Sequence, residues 1–121
     1  MAKEIILEIS TIEANTTIVT FLSPSISDVD AITAASTKIK DYVKENQPRT
    51  LIFDFQAVKF FSSLVLGLLL DLRAKLQAYE GEVLISAIDP QLHRVFKITN
   101  LDKVFRFFPN RQKAIEATNA D

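Results

Sequence analysis

The stretch Thr50-Leu51-Ile52-Phe53-Asp54-Phe55 is almost wholly apolar, with no polar alternation to mark a wet face. A short run of this kind fits an inner strand covered on both sides better than an edge strand. That single feature calls for a layered α/β arrangement, and the segments around it supply the layers.

Upstream, Ile5, Leu7 and Ile9 alternate with polar or smaller neighbours and predict a first strand. Glu13-Ala14-Asn15-Thr16 is a polar break, and Thr17 to Leu22 reads as a second, β-branched strand, so a β-hairpin opens the chain. Ser23-Pro24-Ser25 ends it. Ser27 or Asp28 can cap a helix whose apolar stripe is Ile32, Ala35, Ile39, Tyr42 and Val43. Asn46-Gln47-Pro48 stops that helix.

Downstream, Ser62-Ser63 heads a leucine-rich helical stretch to about Tyr79, closed by Glu80-Gly81. Val83-Leu84-Ile85 predicts another inner strand, Asp89-Pro90 starts a helix through Phe96, and Asn100 ends that turn. Val104 to Phe108 and Asn110 to Ala117 follow as a last strand and a last helix. The order β-β-α-β-α-β-α-β-α implies an α/β fold with a parallel centre and one antiparallel addition from the hairpin. At 121 residues, with no linker or repeat, the chain is expected to form one domain over residues 1–121.

Composition narrows the chemistry. There is no cysteine and one histidine, which removes disulfides, thiolate metal sites and histidine clusters. A formal net charge of −1 argues against nucleic acid as a partner. Met1-Ala2-Lys3-Glu4 carries no signal-peptide core, and Leu64 to Leu70 is too short to cross a bilayer, so no membrane partner is expected. His93, four residues from Lys97 and without a nearby nucleophile, reads as solvated. Phe105, Phe107 and Phe108 read as packing residues. No phosphate loop, GxGxxG or GxSxG occurs.

The candidate chemistry lies between Asp54 and Arg73. Asp54 ends a strand where ligands of open α/β sheets collect. Ser62-Ser63 stands at a helix start, whose free N–H groups and positive pole suit either a plain cap or a phosphorylated hydroxyl. At about 100° per residue, Val65, Leu68, Leu69, Leu72 and Leu76 share the core stripe. Ser63, Leu66, Gly67 and Leu70 are then expected to face solvent, with Leu66 and Leu70 as an exposed apolar pair. Such a pair beside a modifiable hydroxyl suggests a protein-docking surface.

These residues resemble a family. Leu51-Ile52-Phe53-Asp54-Phe55, Val58-Lys59-Phe60-Phe61-Ser62-Ser63 and Leu66-Gly67-Leu68-Leu69 look like the central signature of STAS domains, the bacterial anti-sigma-factor antagonists and their relatives. The likeness continues through Gly81-Glu82-Val83-Leu84-Ile85-Ser86, Pro90-Gln91-Leu92-His93-Arg94-Val95-Phe96 and Thr99-Asn100-Leu101-Asp102-Lys103-Val104-Phe105. Ser62 stands where the family usually has aspartate, Leu64 where it has serine or threonine, and Val65 where it has glycine. Gly67 keeps the second glycine. Before the first helix, Pro24-Ser25-Ile26-Ser27 replaces the family pattern, with Asp28 one place later.

The resemblance implies a mixed sheet of about five strands, an N-terminal hairpin and about four helices. It also implies a cytoplasmic, non-enzymatic binding module without cofactor or metal, present as a monomer or weak homodimer. Its partners would be an anti-sigma factor that is also a serine kinase, and a phosphatase. By position Ser63 is the expected phosphorylation site, with Ser62 the alternative. The expected partner-binding residues are Ser27, Asp28, Asp54, Ser62, Ser63, Leu64, Leu66, Gly67 and Leu70. An unphosphorylated scaffold or sensor subunit is the alternative within the same fold. A small nucleotide-binding domain or enzyme using Asp54 and Ser63 is the alternative outside it.

Overall fold

The computed structural model describes residues 5–12 and 15–119. Glu13 and Ala14 of the expected polar break, and Met1 to Glu4, lie outside the described residues. Asn15 closes the hairpin turn with φ 61°, a conformation asparagine tolerates better than most residues.

Twelve elements follow in order: β1 (Leu7–Ile12), β2 (Thr16–Phe21), β3 (Ser25–Ile26), α1 (Val29–Asn46), β4 (Thr50–Asp54) and β5 (Phe60–Phe61), then α2 (Ser63–Gln77), β6 (Glu82–Ser86), α3 (Pro90–Ile98), a 3-10 turn (Leu101–Lys103), β7 (Arg106–Phe108) and α4 (Arg111–Asn119). The main sheet has the order β1-β2-β4-β6-β7. Only β1 and β2 are antiparallel; the other pairs are parallel. The expected mixed sheet with a parallel centre and four helices is therefore what the chain forms.

Strand β4 is central, and Leu51, Ile52 and Phe53 are fully buried. Alternation sends Leu51 and Phe53 to one face with Val19, Phe21, Val83 and Ile85, into the large core roofed by α1, α2 and α3. Ile52 points the other way, with Ile18 and Leu84, into a smaller cluster closed by Ala114 of α4. No helix among the described residues is long and apolar enough to cross a membrane.

Caps set the helix ends. Asp28, not Ser27, caps α1, its carboxylate accepting from the Ala31 N–H at 3.0 Å. Asp89 caps α3 through the Gln91 N–H at 2.8 Å, with Pro90 in the first turn. The strand expected from Val104 is shorter, because the chain turns through 3-10 geometry before Arg106.

After α2 the Gly81 N–H donates to the Leu76 carbonyl at 2.7 Å, while Glu80 takes the positive φ of the turn, 67°. Gly81 serves a different need. A Cβ there would lie 3.0 Å from the Arg49 carbonyl oxygen and 3.1 Å from Tyr79. Gly81→Ala is expected to lower stability by about 1–2 kcal/mol, since the obstruction is backbone that cannot swing aside. Urea unfolding of the two proteins measures this, and an unchanged midpoint would show that the turn relaxes.

Candidate functional site

Two strands of two residues each, too short to show any alternation, build the site. In β3 and β5, Ser25 and Ile26 run parallel to Phe60 and Phe61. The Pro24 carbonyl accepts from the Lys59 and Phe60 N–H groups at 2.7 and 3.1 Å, and the Ile26 carbonyl from Ser62 at 2.9 Å. Ile26 and Phe61 are buried beneath this small sheet. Phe61 packs between Phe55 and Phe96, with ring centroids 5.9 and 6.0 Å away, and Phe55 lies 5.4 Å from Phe21. This aromatic chain ties the small sheet to the main core. Because α1 starts just after β3 and α2 just after β5, their N-terminal ends are held side by side.

At that junction Ser27 and Ser63 are exposed, while Asp28 is half-buried and committed to its cap. Ser63 is the first residue of α2, where backbone N–H groups lack helical partners and the dipole is positive. Ser62 precedes it as the capping residue but makes no side-chain cap bond, and its Oγ is shut away from solvent without a partner among the described residues. Of the two hydroxyls, Ser63 is therefore the one on an open surface.

The phase of α2 differs from expectation at one position. Leu66 is only 7% exposed and joins the main core, so the expected outward pair Leu66–Leu70 does not exist. At about 100° per residue the buried residues, from Leu68 round to Leu66, span an arc of about 160°, wider than one stripe. A helix packed on a sheet and flanked by another helix is enclosed on more than one side. The exposed apolar residues around this junction are instead Leu64, 46% exposed, Leu70, 36% exposed, Val29 at the start of α1 and Phe60 of β5.

Val29, Leu64, Gly67 and Leu68 line a groove of about 470 Å³ between α1 and α2, with Thr33, Ser36 and Thr37 along the α1 wall. Lys40 also lines it and meets Asp71 at 3.1 Å. A Cβ on Gly67 would meet nothing within 4 Å. No contact among the described residues requires glycine there. Gly67→Ala is expected to stabilise the protein by about 1 kcal/mol, the helix-propensity difference, visible as a higher melting midpoint. A lower midpoint would mean that α2 needs glycine for its own backbone.

Asp54, an expected partner contact, is 1% exposed. Its Oδ2 accepts from the Arg111 Nε at 2.7 Å, its Oδ1 from the Gln56 N–H at 3.0 Å, and Arg111 also donates to Thr20 Oγ1 at 2.9 Å. The carboxylate is thus occupied within the fold and has no surface for a partner to touch. Arg111 lies 57 residues from Asp54, and no spacing rule links the two. A crevice of about 330 Å³ does open near the C-terminal ends of the parallel strands, lined by Gln56, Lys59, Ala87 and Asn110 among others. Neither Asp54 nor Ser63 lines it.

His93 is half-buried rather than fully solvated, its ring 4.3 Å from that of Phe107. Phe105 is buried and Phe107 packs against the main core, as expected of packing residues. Arg106 stacks its guanidinium over Phe108 at 5.3 Å.

Known proteins share both pattern and fold. The family described as STAS domain matches residues 8–114. The unphosphorylated anti-sigma factor antagonist SpoIIAA superposes with a TM-score of 0.84 at 19% identity, covering 96% of this chain and 98% of that one. Bacillus SpoIIAA in its phosphorylated form gives 0.74 at 21% identity, covering 93% and 99%. An anti-sigma factor antagonist from Mycobacterium paratuberculosis gives 0.81 at 27% identity, covering 94% and 93%. The family match spans most of the sequence and the superpositions span nearly all of both molecules, so the chain belongs to the STAS domain family.

Proposed function

We propose that the chain is an anti-sigma-factor-antagonist-like switch, a non-enzymatic module that exchanges protein partners according to the state of Ser63. The observation that carries this reading is an exposed hydroxyl at the positive pole of α2, beside a groove whose apolar part is formed by Val29, Leu64, Gly67 and Leu68. Similar folds in proteins described as anti-sigma factor antagonists, one of them in a phosphorylated form, support it.

In the unmodified state, Ser63, Leu64, Gly67 and Leu70, with Ser27 alongside, meet an anti-sigma factor that is also a serine kinase. Modification adds about two negative charges at pH 7. In the free protein the α2 dipole and its N–H groups favour those charges. Against a docked apolar surface the same charges lose water without gaining a counter-ion, which costs several kcal/mol. The second effect is the larger, so the phosphate releases the partner and leaves the fold intact. A phosphatase resets the module, which acts in the cytoplasm as a monomer or weak homodimer.

Affinity capture from the native cell tests this with two baits, the unaltered protein and Leu70→Lys. The unaltered bait is expected to retain a protein with an ATP-dependent serine kinase domain. Leu70→Lys is expected to lose it, with the melting midpoint moving by no more than about 2 °C because the residue is partly exposed. Equal retention by both folded baits would place the docking surface elsewhere.

A further inference from the structure

We propose that α4 is a latch that lifts from the sheet as a unit while the rest of the fold stays closed. Among the described residues, the sheet face bearing Ile18, Ile52 and Leu84 has α4 as its only helical cover. The opposite face has three helices and the large core. Ala114 of α4 is fully buried, Ile115, Ala117 and Thr118 are half-buried, and Arg111, Gln112, Lys113 and Glu116 are exposed. The cluster that holds the helix down is much smaller than the core on the opposite face, and strand pairing together with that large core holds the sheet without α4.

What fastens the start of α4 is polar. Register aligns Thr20, Asp54, Ser86 and Phe108 in one row across β2, β4, β6 and β7. Arg111 clamps the Thr20–Asp54 end of the row, although its own side chain is 44% exposed. Ser86 is fully buried, and its Oγ has no protein partner among the described residues. Opening would let bulk water reach Asp54 and the Ser86 hydroxyl, which offsets part of the cost of parting Arg111 from the carboxylate. An all-apolar contact of the same size offers no such return. The helix also carries its own cap, Asn110 Oδ1 accepting from the Lys113 N–H at 2.9 Å, and so keeps that contact as it moves.

The chain has no cysteine, so an introduced one is the sole thiol. Ala114→Cys reports from α4, Leu84→Cys from the sheet beneath it, and Val65→Cys from the large core under α2; if Leu84→Cys fails to fold, Ile18→Cys occupies the same cluster. Iodoacetamide labelling is followed in native buffer and in low urea. The latch predicts equal protection at Ala114 and Leu84, both labelled at least about 30-fold faster than Val65 and with a shallower urea dependence. One common rate and urea slope at all three sites would mean that α4 opens only on global unfolding. Fast labelling at Ala114 with Leu84 as slow as Val65 would reduce the motion to fraying of the helix. Either result overturns the proposal.

Discussion

Ser63→Asp is expected to weaken binding of the kinase-type partner by about 100-fold, while the melting midpoint of the free protein stays the same or rises slightly. The two expectations come from one charge in two settings. At the start of α2 a carboxylate meets the positive end of the helix and unpaired N–H groups, worth up to about 1 kcal/mol in favour of the fold. Buried against a partner without a counter-ion it costs about 3 kcal/mol, and each 1.4 kcal/mol is a factor of ten in affinity. Phosphate, with about twice the charge, should weaken binding further. Calorimetric titration of both forms measures the ratio. Equal affinities would show that Ser63 lies outside the contact, whatever the fold.

Phe55→Ala is expected to lower unfolding free energy by about 4 kcal/mol, a large share of the 5–15 kcal/mol typical of a domain. Phe55 is fully buried, lies against Phe21, and is linked through Phe61 to Phe96. Truncation removes the aromatic link between the main sheet and the small sheet that aligns α1 and α2. Partner binding should therefore weaken as well, even at temperatures where the variant remains folded. Phe55→Leu keeps most of the volume and should lose less than about half as much. A loss below about 1 kcal/mol for the alanine variant, by urea titration, would show that the small sheet closes over the cavity.

The main sheet was legible because its strands carry their own pattern. The unbroken run from Leu51 to Phe53 marks a strand buried on both faces, and β1 alternates from Leu7 to Ser10, whereas β2 is buried at every position and is marked by its β-branched residues. The strands β3 and β5 were not legible, since two residues cannot display a period and their pairing joins segments 35 residues apart. Leu66 escapes a single-stripe reading for a related reason: one stripe implies one packing partner, and α2 packs against both the sheet and α1. Asp54 stood out as a polar residue in an apolar strand, but its significance depended on Arg111, which only the tertiary fold brings to it. Ser62 and Ser63 look alike as neighbouring hydroxyls. Helix geometry shuts in the first and exposes the second.

Regulation at Ser63 is tested most directly by the intact mass of the protein purified from its own cells, before and after phosphatase treatment, with the modified peptide sequenced. One phosphate is expected, carried by Ser63 and removed by the enzyme, in a fraction that changes with growth condition. A chain unmodified under every condition, or a phosphate confined to another residue, would contradict the switch.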